Sequence, residues 1–264
     1  MLFFSSTSLF LSAQDRFIVL ASTTSTDNSG LFAHLLPRFT ADTGIDVRMV
    51  ARGTGQAIKM AEAGDADVLL VHHRPSEEAF VAAGFGVARH DLMYNDFVLI
   101  GPRNDPAGVR AIDNAGQAFA RILEDNALFV SRGDDSGTHK KELAIWAEAD
   151  LDPVSHSGTW YRETGSGMGA SLNAAAAMGA YILADRATWM AFRNKGDLEL
   201  LFEGDPSLFN PYGVILVSPV RHPHVRASDG QAFIDWLLSP TGQDTIADFA
   251  IDGQQLFFPY ADQS

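Results

Sequence analysis

Two stretches of the sequence share one design and decide the expected fold. Residues Asn95–Pro102 are NDFVLIGP, and residues Asn210–Pro219 are NPYGVILVSP. Each begins with Asn, continues through residues that favour β-strands, and ends at Pro. This matched pair predicts two strands that cross between two lobes of the protein.

Short apolar runs and helical patterns alternate on both sides of these stretches. The pattern predicts an α/β fold with mostly parallel sheets. The predicted strands are Phe17–Ala21, Asp46–Ala51, Val68–Val71 and Leu128–Ser131. The predicted helices are Gly30–Thr40, Thr54–Glu62, 115–126, Gly137–Ala149, one after Gly169, and one near Gly230–Leu238.

Composition restricts the classes of partner. The 264 residues carry 19 Lys and Arg against 33 Asp and Glu, a formal net charge of −14. This balance argues against non-specific binding of nucleic acid or of an anionic membrane surface. The absence of Cys excludes disulfides, thiolate metal sites and a Cys nucleophile. No stretch after the first residues approaches the ~20 apolar residues of a membrane-spanning helix.

The first residues, 1–14, have the sequence MLFFSSTSLFLSAQ, an apolar run followed by small residues. We interpret this segment as the remnant of a secretory signal, although no Lys or Arg precedes the run. The alternative is an ordinary apolar N-terminal segment.

Three segments combine hydroxylated residues with Gly where a strand gives way to a helix: Ser22–Gly30, Arg52–Gln56 and Ser131–His139. A helix N-terminus presents unpaired N–H groups and a partial positive charge, and is therefore suited to anions. Arg132 adds a fixed charge. Each segment taken alone fits simple helix capping, but three together favour an anion site. A fourth, Glu163–Gly169, is similar but lacks a cation.

At these residues the chain resembles the tungstate-specific substrate-binding proteins of ABC transporters. The resemblance covers nearly the whole chain after Asp15, and the ordered set of motifs is far more specific than any one of them. The motifs are LASTTST from Leu20, GTGQA from Gly53, GDADVLLVH from Gly64, MYNDFV from Met93, SRGDDSGTH from Ser131, ETGSGMGASLN from Glu163, and NPYGV from Asn210.

The resemblance implies a periplasmic-binding-protein fold with a ligand cleft between two lobes, one formed by 15–95 with 214–264 and the other by 96–213. It implies a periplasmic, monomeric protein that binds tungstate or molybdate and needs no cofactor or bound metal. An ABC permease and its ATPase are the implied partners, with no nucleic acid and no direct membrane insertion. The residues implied to bind the oxyanion are Thr24, Ser25, Thr54, Arg132, Ser136, Gly137, Thr138, Met168 and Gly169.

Phosphate is the nearest alternative ligand, because Arg132–Thr138 also resembles the Arg-x-Asp-x-Ser-Gly-Thr block of phosphate-binding proteins. Phosphate near neutral pH keeps a proton, so a selective site needs an acceptor, whereas tungstate and molybdate are fully ionised and suit a site of donors alone. In the phosphate family an Asp follows the strand that corresponds to Val68–Val71, but here His72-His73-Arg74 follows it. Asp134 is expected to pair with Arg132. The residues do not separate tungstate from molybdate.

A hydrolase acting on a phosphate ester is the alternative from another class. Ser136, His139 and Asp134 lie close together in sequence, but an N-cap explains them better than a triad. The sequence has no G-x-S-x-G, H-E-x-x-H or Walker A motif. His72 and His73 are adjacent and would point to opposite faces of a strand, which argues against metal chelation. We therefore expect no enzymatic activity. An adaptor protein would leave the three donor-rich helix starts unexplained.

Overall fold

The computed structural model describes residues 16–261. The predicted signal remnant at 1–14 lies outside these residues and stays a prediction. Within 16–261, strands and helices alternate in two lobes, which confirms the predicted α/β class.

The strands are β1 (Phe17–Thr23), β2 (Asp46–Arg52), β3 (Val68–Val71), β4 (Gly86–Pro102), β5 (Phe129–Ser131), β6 (Tyr161–Glu163), β7 (Ile182–Asp185), β8 (Leu198–Phe202), β9 (Phe209–Val217), β10 (Ala250–Ile251), β11 (Gln254–Gln255) and β12 (Phe258–Pro259). The helices are α1 (Thr24–Asn28), α2 (Leu31–Thr43), α3 (Thr54–Glu62), α4 (Arg74–Ala82), α5 (Ala115–Glu124), α6 (Gly137–Glu148), α7 (Met168–Met178), α8 (Arg186–Ala191), α9 (Ala227–Leu238) and α10 (Pro240–Ala247).

The larger sheet has the strand order β2-β1-β3-β9-β4-β12. β1 is parallel to β2 and β3, but β9 is antiparallel to β3 and β4, and β12 is antiparallel to β4. In the second lobe, β4 pairs antiparallel with β7 and β8, and β5 runs parallel to β6. The expectation of mostly parallel sheets is wrong, because a strand that leaves one lobe and a strand that returns to it must run in opposite directions.

β4 and β9 are the two crossover strands. β4 includes the whole of Asn95–Pro102, and β9 includes the second stretch except its last two residues, Ser218 and Pro219. They pair along most of β9, with Asn95 opposite Asn210. β4 begins at Gly86 rather than at Asn95, because the charged residues before Asn95 are accommodated in the strand. The side chain of Arg89 is only 8% exposed, and it donates to Glu77 and to Asp91 at 2.7 and 2.6 Å.

Helices cover both faces of the sheets in each lobe. Successive residues of a strand point to opposite faces, so Leu20 and Ala21 belong to different apolar clusters in the first lobe. Phe97 and Val98 divide between two clusters of the second lobe in the same way. Strands buried on both faces are continuous apolar runs, which is why these segments could be identified from the sequence.

Candidate functional site

The first turns of four helices meet where the two lobes touch. α1 and α3 begin in the first lobe at Thr24 and Thr54, and α6 begins in the second lobe at Gly137. The backbone N–H of Gly137 donates to Thr54 Oγ1 at 2.8 Å, directly across the lobes. α7 begins at Met168, and a Cβ on the preceding Gly167 would lie 3.7 Å from Thr24 Oγ1. The structure therefore brings the predicted segments together, and each supplies N–H donors of a helix N-terminus.

The first lobe contributes neutral hydroxyl and N–H groups. Ser25 and Thr54 are buried, and Thr24 is half-buried. Thr23 is the N-cap of α1, where its hydroxyl accepts from the N–H of Thr26 at 3.3 Å. These hydrogen bonds fix the first turn of α1, so its donors are held in place before any ligand arrives.

The second lobe contributes the charge. Arg132 follows β5 and is only 2% exposed. Its Nη2 donates to Asp134 Oδ2 at 2.6 Å, which agrees with the predicted pairing of the two residues. Within the described part of the chain, Arg132 Nε has no hydrogen-bond partner. A buried guanidinium with an unused donor retains capacity for an anionic partner.

The other predicted residues of the second lobe occupy the start of α6 and of α7. Ser136 is the N-cap of α6 and accepts from the N–H of His139 at 3.2 Å. The Thr138 hydroxyl is buried and has no partner among the described residues. The side chain of Met168 packs in an apolar cluster of the second lobe, so only its backbone can face a ligand. Within residues 16–261, nothing outside the neighbouring residues and the backbone of α7 lies within 4 Å of the Cβ position at Gly169, which leaves space beside that backbone.

Sequence reasoning missed a buried polar chain behind Ser25. Ser25 Oγ lies 3.2 Å from His72 Nε2, and His72 Nδ1 lies 3.0 Å from Asn210 Oδ1. Asn210 Nδ2 donates to Asn95 Oδ1 at 2.6 Å. The ring of His72 also stacks on Tyr212 at 4.8 Å. The only signal in the sequence was the Asn that opens each of the two quoted stretches.

Burial keeps His72 neutral. Loss of hydration lowers the pKa of His72 to about 4, with a further lowering from the charge of Arg132. Burial also lowers the pKa of the neighbouring His73 to about 4. His73 Nδ1 lies 2.7 Å from Ser76 Oγ, so the two adjacent imidazoles have different partners. Among residues 16–261, no group of three or more His, Cys, Asp or Glu could hold a metal ion.

Asp185 and Thr188 were also missed, and they join the second lobe to α1. Asp185 is the N-cap of α8, and Thr188 Oγ1 donates to the carbonyl of Ser25 at 3.1 Å. Burial raises the pKa of Asp185, while the charge of Arg132 acts in the opposite direction. Asp134 and Asp185 together give Arg132 two acidic neighbours.

The geometry does not connect Ser136 and His139 as a catalytic pair. The Ser136 hydroxyl caps the backbone of His139, while His139 Nδ1 accepts from the N–H of Asp135 at 3.2 Å. Nδ1 is therefore engaged by the backbone, and within the described residues Nε2 has no hydrogen-bond partner, so neither ring nitrogen is bonded to the Ser136 hydroxyl. A nucleophile needs its hydroxyl hydrogen-bonded to the base.

No helix within residues 16–261 combines the length and the apolar character needed to cross a membrane.

A family model described as a PBP superfamily domain matches residues 11–241. This match places the chain in the class of two-lobe binding proteins that its fold and its inter-lobe site define. The tungstate-binding protein TupA of Peptoclostridium acidaminophilum is 48% identical over 249 residues, which is 92% of this chain and 86% of the relative. The chain belongs to the family of tungstate-specific substrate-binding proteins of ABC transporters.

Solved structures agree with this assignment. The tungstate-binding protein of Desulfovibrio alaskensis has 47% identity and a TM-score of 0.80, with 94% of this chain and 100% of that chain covered. The structure of the tungstate ABC transporter of Geobacter sulfurreducens has 47% identity and a TM-score of 0.81, with 88% of this chain and 98% of that chain covered. The predicted resemblance and the two-lobe fold are thus confirmed.

Proposed function

We propose that this protein captures tungstate between its lobes and delivers it to an ABC permease driven by an ATPase. The observation that carries the proposal is Arg132, which is 2% exposed at the junction of four helix N-termini and whose Nε has no partner among residues 16–261. We further propose that it acts in the periplasm as a monomer, after an N-terminal signal directs its export, and that it performs no catalysis.

The proposed lobes are 15–95 with 214–264 and 96–213. Thr24, Ser25 and Thr54 donate from the first lobe. From the second lobe, Arg132 supplies the charge, and the start of α6 and of α7 adds donors from Ser136, Gly137, Thr138, Met168 and Gly169. Closing the lobes removes water from the ligand, which strengthens each of these interactions.

The donors suit a fully ionised dianion. The proposed ligand residues offer hydroxyl, N–H and guanidinium groups, and the neighbouring Asp134, which is not among them, is bonded to Arg132. The hydroxyls can donate, and the N–H and guanidinium groups can only donate. A protonated phosphate would need an acceptor for its proton. Molybdate has nearly the same size and charge as tungstate, and we expect it to bind as well.

Thermal-shift measurements with tungstate, molybdate, sulfate and phosphate test the proposal. A ligand that binds only the folded protein stabilises it by RT ln(1 + [L]/Kd), so tungstate should raise Tm by the largest amount, followed by molybdate. Calorimetric titration then gives the stoichiometry, expected to be one oxyanion per chain. A larger shift with phosphate than with tungstate, or no shift with any of the four anions, would overturn the proposal.

A further inference from the structure

The buried chain behind Ser25 ends on the two crossover strands. It runs from Ser25 through His72 to Asn210 on β9 and Asn95 on β4, and all four residues are at most 4% exposed. Asn95 and Asn210 face each other in the β4–β9 register. This series of hydrogen bonds therefore begins at Ser25, a proposed oxyanion donor, and ends at Asn95, where the lobes are joined.

The direction of the hydrogen bonds from Ser25 to Asn95 decides whether the Ser25 hydroxyl can donate to an oxyanion. A neutral imidazole has one N–H and one acceptor nitrogen. With Asn210 Oδ1 facing the ring, the proton must be on Nδ1, because that oxygen can only accept. His72 Nε2 is then an acceptor, and the Ser25 hydroxyl donates its proton to it. In this first ordering, Ser25 has no hydroxyl proton left for an oxyanion.

The first ordering also leaves two buried groups unused. Among the described residues, Asn95 Nδ2 and the Tyr212 hydroxyl have no hydrogen-bond partner. Both belong to one cluster, since the side chains of Asn95 and Asn210 adjoin the Tyr212 hydroxyl. A phenol hydroxyl can donate or accept, so the cluster around Tyr212 tolerates either orientation of the Asn95 carboxamide and permits a second ordering.

Rotating both carboxamides by 180° gives that second ordering with almost no movement of heavy atoms. Asn95 Nδ2 then donates to Asn210 Oδ1, and Asn210 Nδ2 donates to His72 Nδ1. The His72 proton moves to Nε2 and is donated to Ser25 Oγ, so the Ser25 proton can be offered to the cleft or to Thr23 Oγ1, which lies 3.1 Å away. The oxygen of Asn95 takes the place of its nitrogen and can accept from Tyr212.

We propose that His72 is a positioning residue that sets the hydroxyl of Ser25 as a donor, and that oxyanion binding selects the second ordering of the Ser25–His72–Asn210–Asn95 chain. An anion accepts hydrogen bonds and repels lone pairs, so it stabilises only the ordering in which Ser25 donates. Because Asn95 and Asn210 lie on different crossover strands, the same selection reaches the connection between the lobes. This inference rests on the proposed function, since it requires Ser25 to face the bound oxyanion.

The tautomer of His72 in the tungstate-bound protein tests the inference. Two-bond ¹H–¹⁵N couplings distinguish the two ring nitrogens, and the His72→Gln spectrum assigns the signals among the eight His. The expected result is the Nε2–H tautomer in the bound protein. Tungstate binding with the Nδ1–H tautomer would overturn the inference alone. If calorimetry shows no tungstate binding, the proposed function fails and the inference falls with it.

A double-mutant cycle gives an independent readout. Ser25→Ala and His72→Leu should each weaken tungstate binding roughly tenfold, because each removes the same charge-assisted hydrogen bond. If His72 acts through Ser25, the double variant should be no weaker than Ser25→Ala within about twofold. Independent effects, giving roughly a hundredfold loss in the double variant, would contradict the inference.

His72→Gln provides a second test that does not depend on how the Leu variant folds. Its carboxamide can still donate to Ser25 but has no aromatic ring to stack on Tyr212. We expect it to retain affinity within about threefold of wild type. A loss as large as that of Ser25→Ala would show that packing of the ring, and not donation to Ser25, is what matters.

Discussion

The two lobes equip the same cleft with different chemistry. The first lobe offers hydroxyl and N–H groups, and Ser25 and Thr54 are already hydrogen-bonded there. The second lobe offers Arg132, which is buried beside Asp134 and keeps one donor unused. The first lobe thus supplies a rigid, neutral surface, and the second supplies the charge that an anion requires.

The contacts between the lobes show how this difference works. Gly137 N–H and the Thr188 hydroxyl, both from the second lobe, donate to Thr54 Oγ1 and to the Ser25 carbonyl of the first lobe. These two contacts between the lobes at the cleft are neutral hydrogen bonds, and each contributes only about 1 kcal/mol. Bonds to a dianion are stronger, so binding can reorganise this contact without disrupting either lobe.

Removing the charge of the second lobe should have the largest effect. Arg132→Ala should weaken tungstate binding about 100-fold, since a hydrogen bond to a charged group contributes ~1.5–3 kcal/mol. Arg132→Lys should restore part of the affinity, because Lys keeps the charge but lacks the planar set of donors. Calorimetric titration measures both. Arg121→Ala, an exposed Arg on α5, is the control and should change the affinity less than twofold. Equal affinities for Arg132→Ala and this control would show that tungstate binding does not depend on the charge of the second lobe.

Separating the lobes should have the next largest effect. In Gly137→Ala the new Cβ would lie 2.9 Å from His72 Cε1, closer than real Cβ contacts, and 3.1 Å from Thr54 Oγ1, closer than most of them. We expect roughly tenfold weaker binding of tungstate, mainly through faster dissociation, because full closure is hindered. Stopped-flow fluorescence can measure both rate constants.

Gly116→Ala on α5 is the matched control, since its Cβ would have its nearest neighbour at 3.3 Å, outside the cleft. It should leave both rates unchanged. If tungstate dissociates from Gly137→Ala at the wild-type rate, close approach of the lobes at this position is not needed for tungstate binding.

Removing one neutral acceptor of the first lobe should cost less. Thr54→Val keeps the shape of the side chain but removes the hydroxyl, which accepts from the Gly137 N–H and which we propose donates to the oxyanion. We expect about fivefold weaker tungstate binding, in line with ~1 kcal/mol for a neutral hydrogen bond. Thr54→Ser keeps the hydroxyl and should bind within about twofold of wild type. If calorimetry gives the same tungstate affinity for Thr54→Val and Thr54→Ser, the hydroxyl of Thr54 does not contribute to binding.

The smallest effect on affinity is expected at Glu142, a buried acid in the second turn of α6. Burial raises its pKa to about 7, although Tyr161 and Trp146 donate to its carboxylate. Since the folded pKa lies above the unfolded value, the folded state binds more protons and Glu142 favours folding at low pH. That contribution decreases as the pH rises from about 4.5 to about 7.

The Tm of Glu142→Gln minus the Tm of wild type should therefore increase by about 2–4 °C from pH 5 to pH 8. The tungstate affinity of the variant should stay within twofold of wild type. Thermal melts across this range measure the difference. Glu148→Gln, at an exposed position on the same helix, is the control and should follow the wild-type profile. A constant difference between Glu142→Gln and wild type at every pH would mean that Glu142 does not titrate in this window.

Local patterns predicted the fold where one element carries its own signals. The helix Thr54–Glu62 and the strand Val68–Val71 agree with the structure to the residue. Gly53 in an extended conformation marks the start of that helix, and an apolar run buried on both faces marks the strand. The first half of β4 was missed, because burial of Arg89 depends on Glu77, which lies on α4.

The candidate site was predicted only where its residues carry a local signal in the sequence. The helix starts are visible in the sequence because hydroxyl residues and Gly stand at their N-termini. The connection of His72 to Asn210 spans 138 positions, so only the folded chain brings it about. α1 is five residues long, too short to give a helical period, and the role of Thr188 beside it could not be read from the sequence.

The division of the apolar cores between the lobes also decides which lobe can fold first during synthesis. The second-lobe clusters contain only residues between Phe97 and Leu208, whereas the first-lobe core joins Ile18 to Phe233 and Phe257. Domains fold as units while the ribosome extends the chain from its N-terminus. The half that carries Arg132 can therefore fold while β1 still waits for α9 to be synthesised. A chain truncated before Phe233 would retain every residue of the second-lobe clusters and lack part of the first-lobe core.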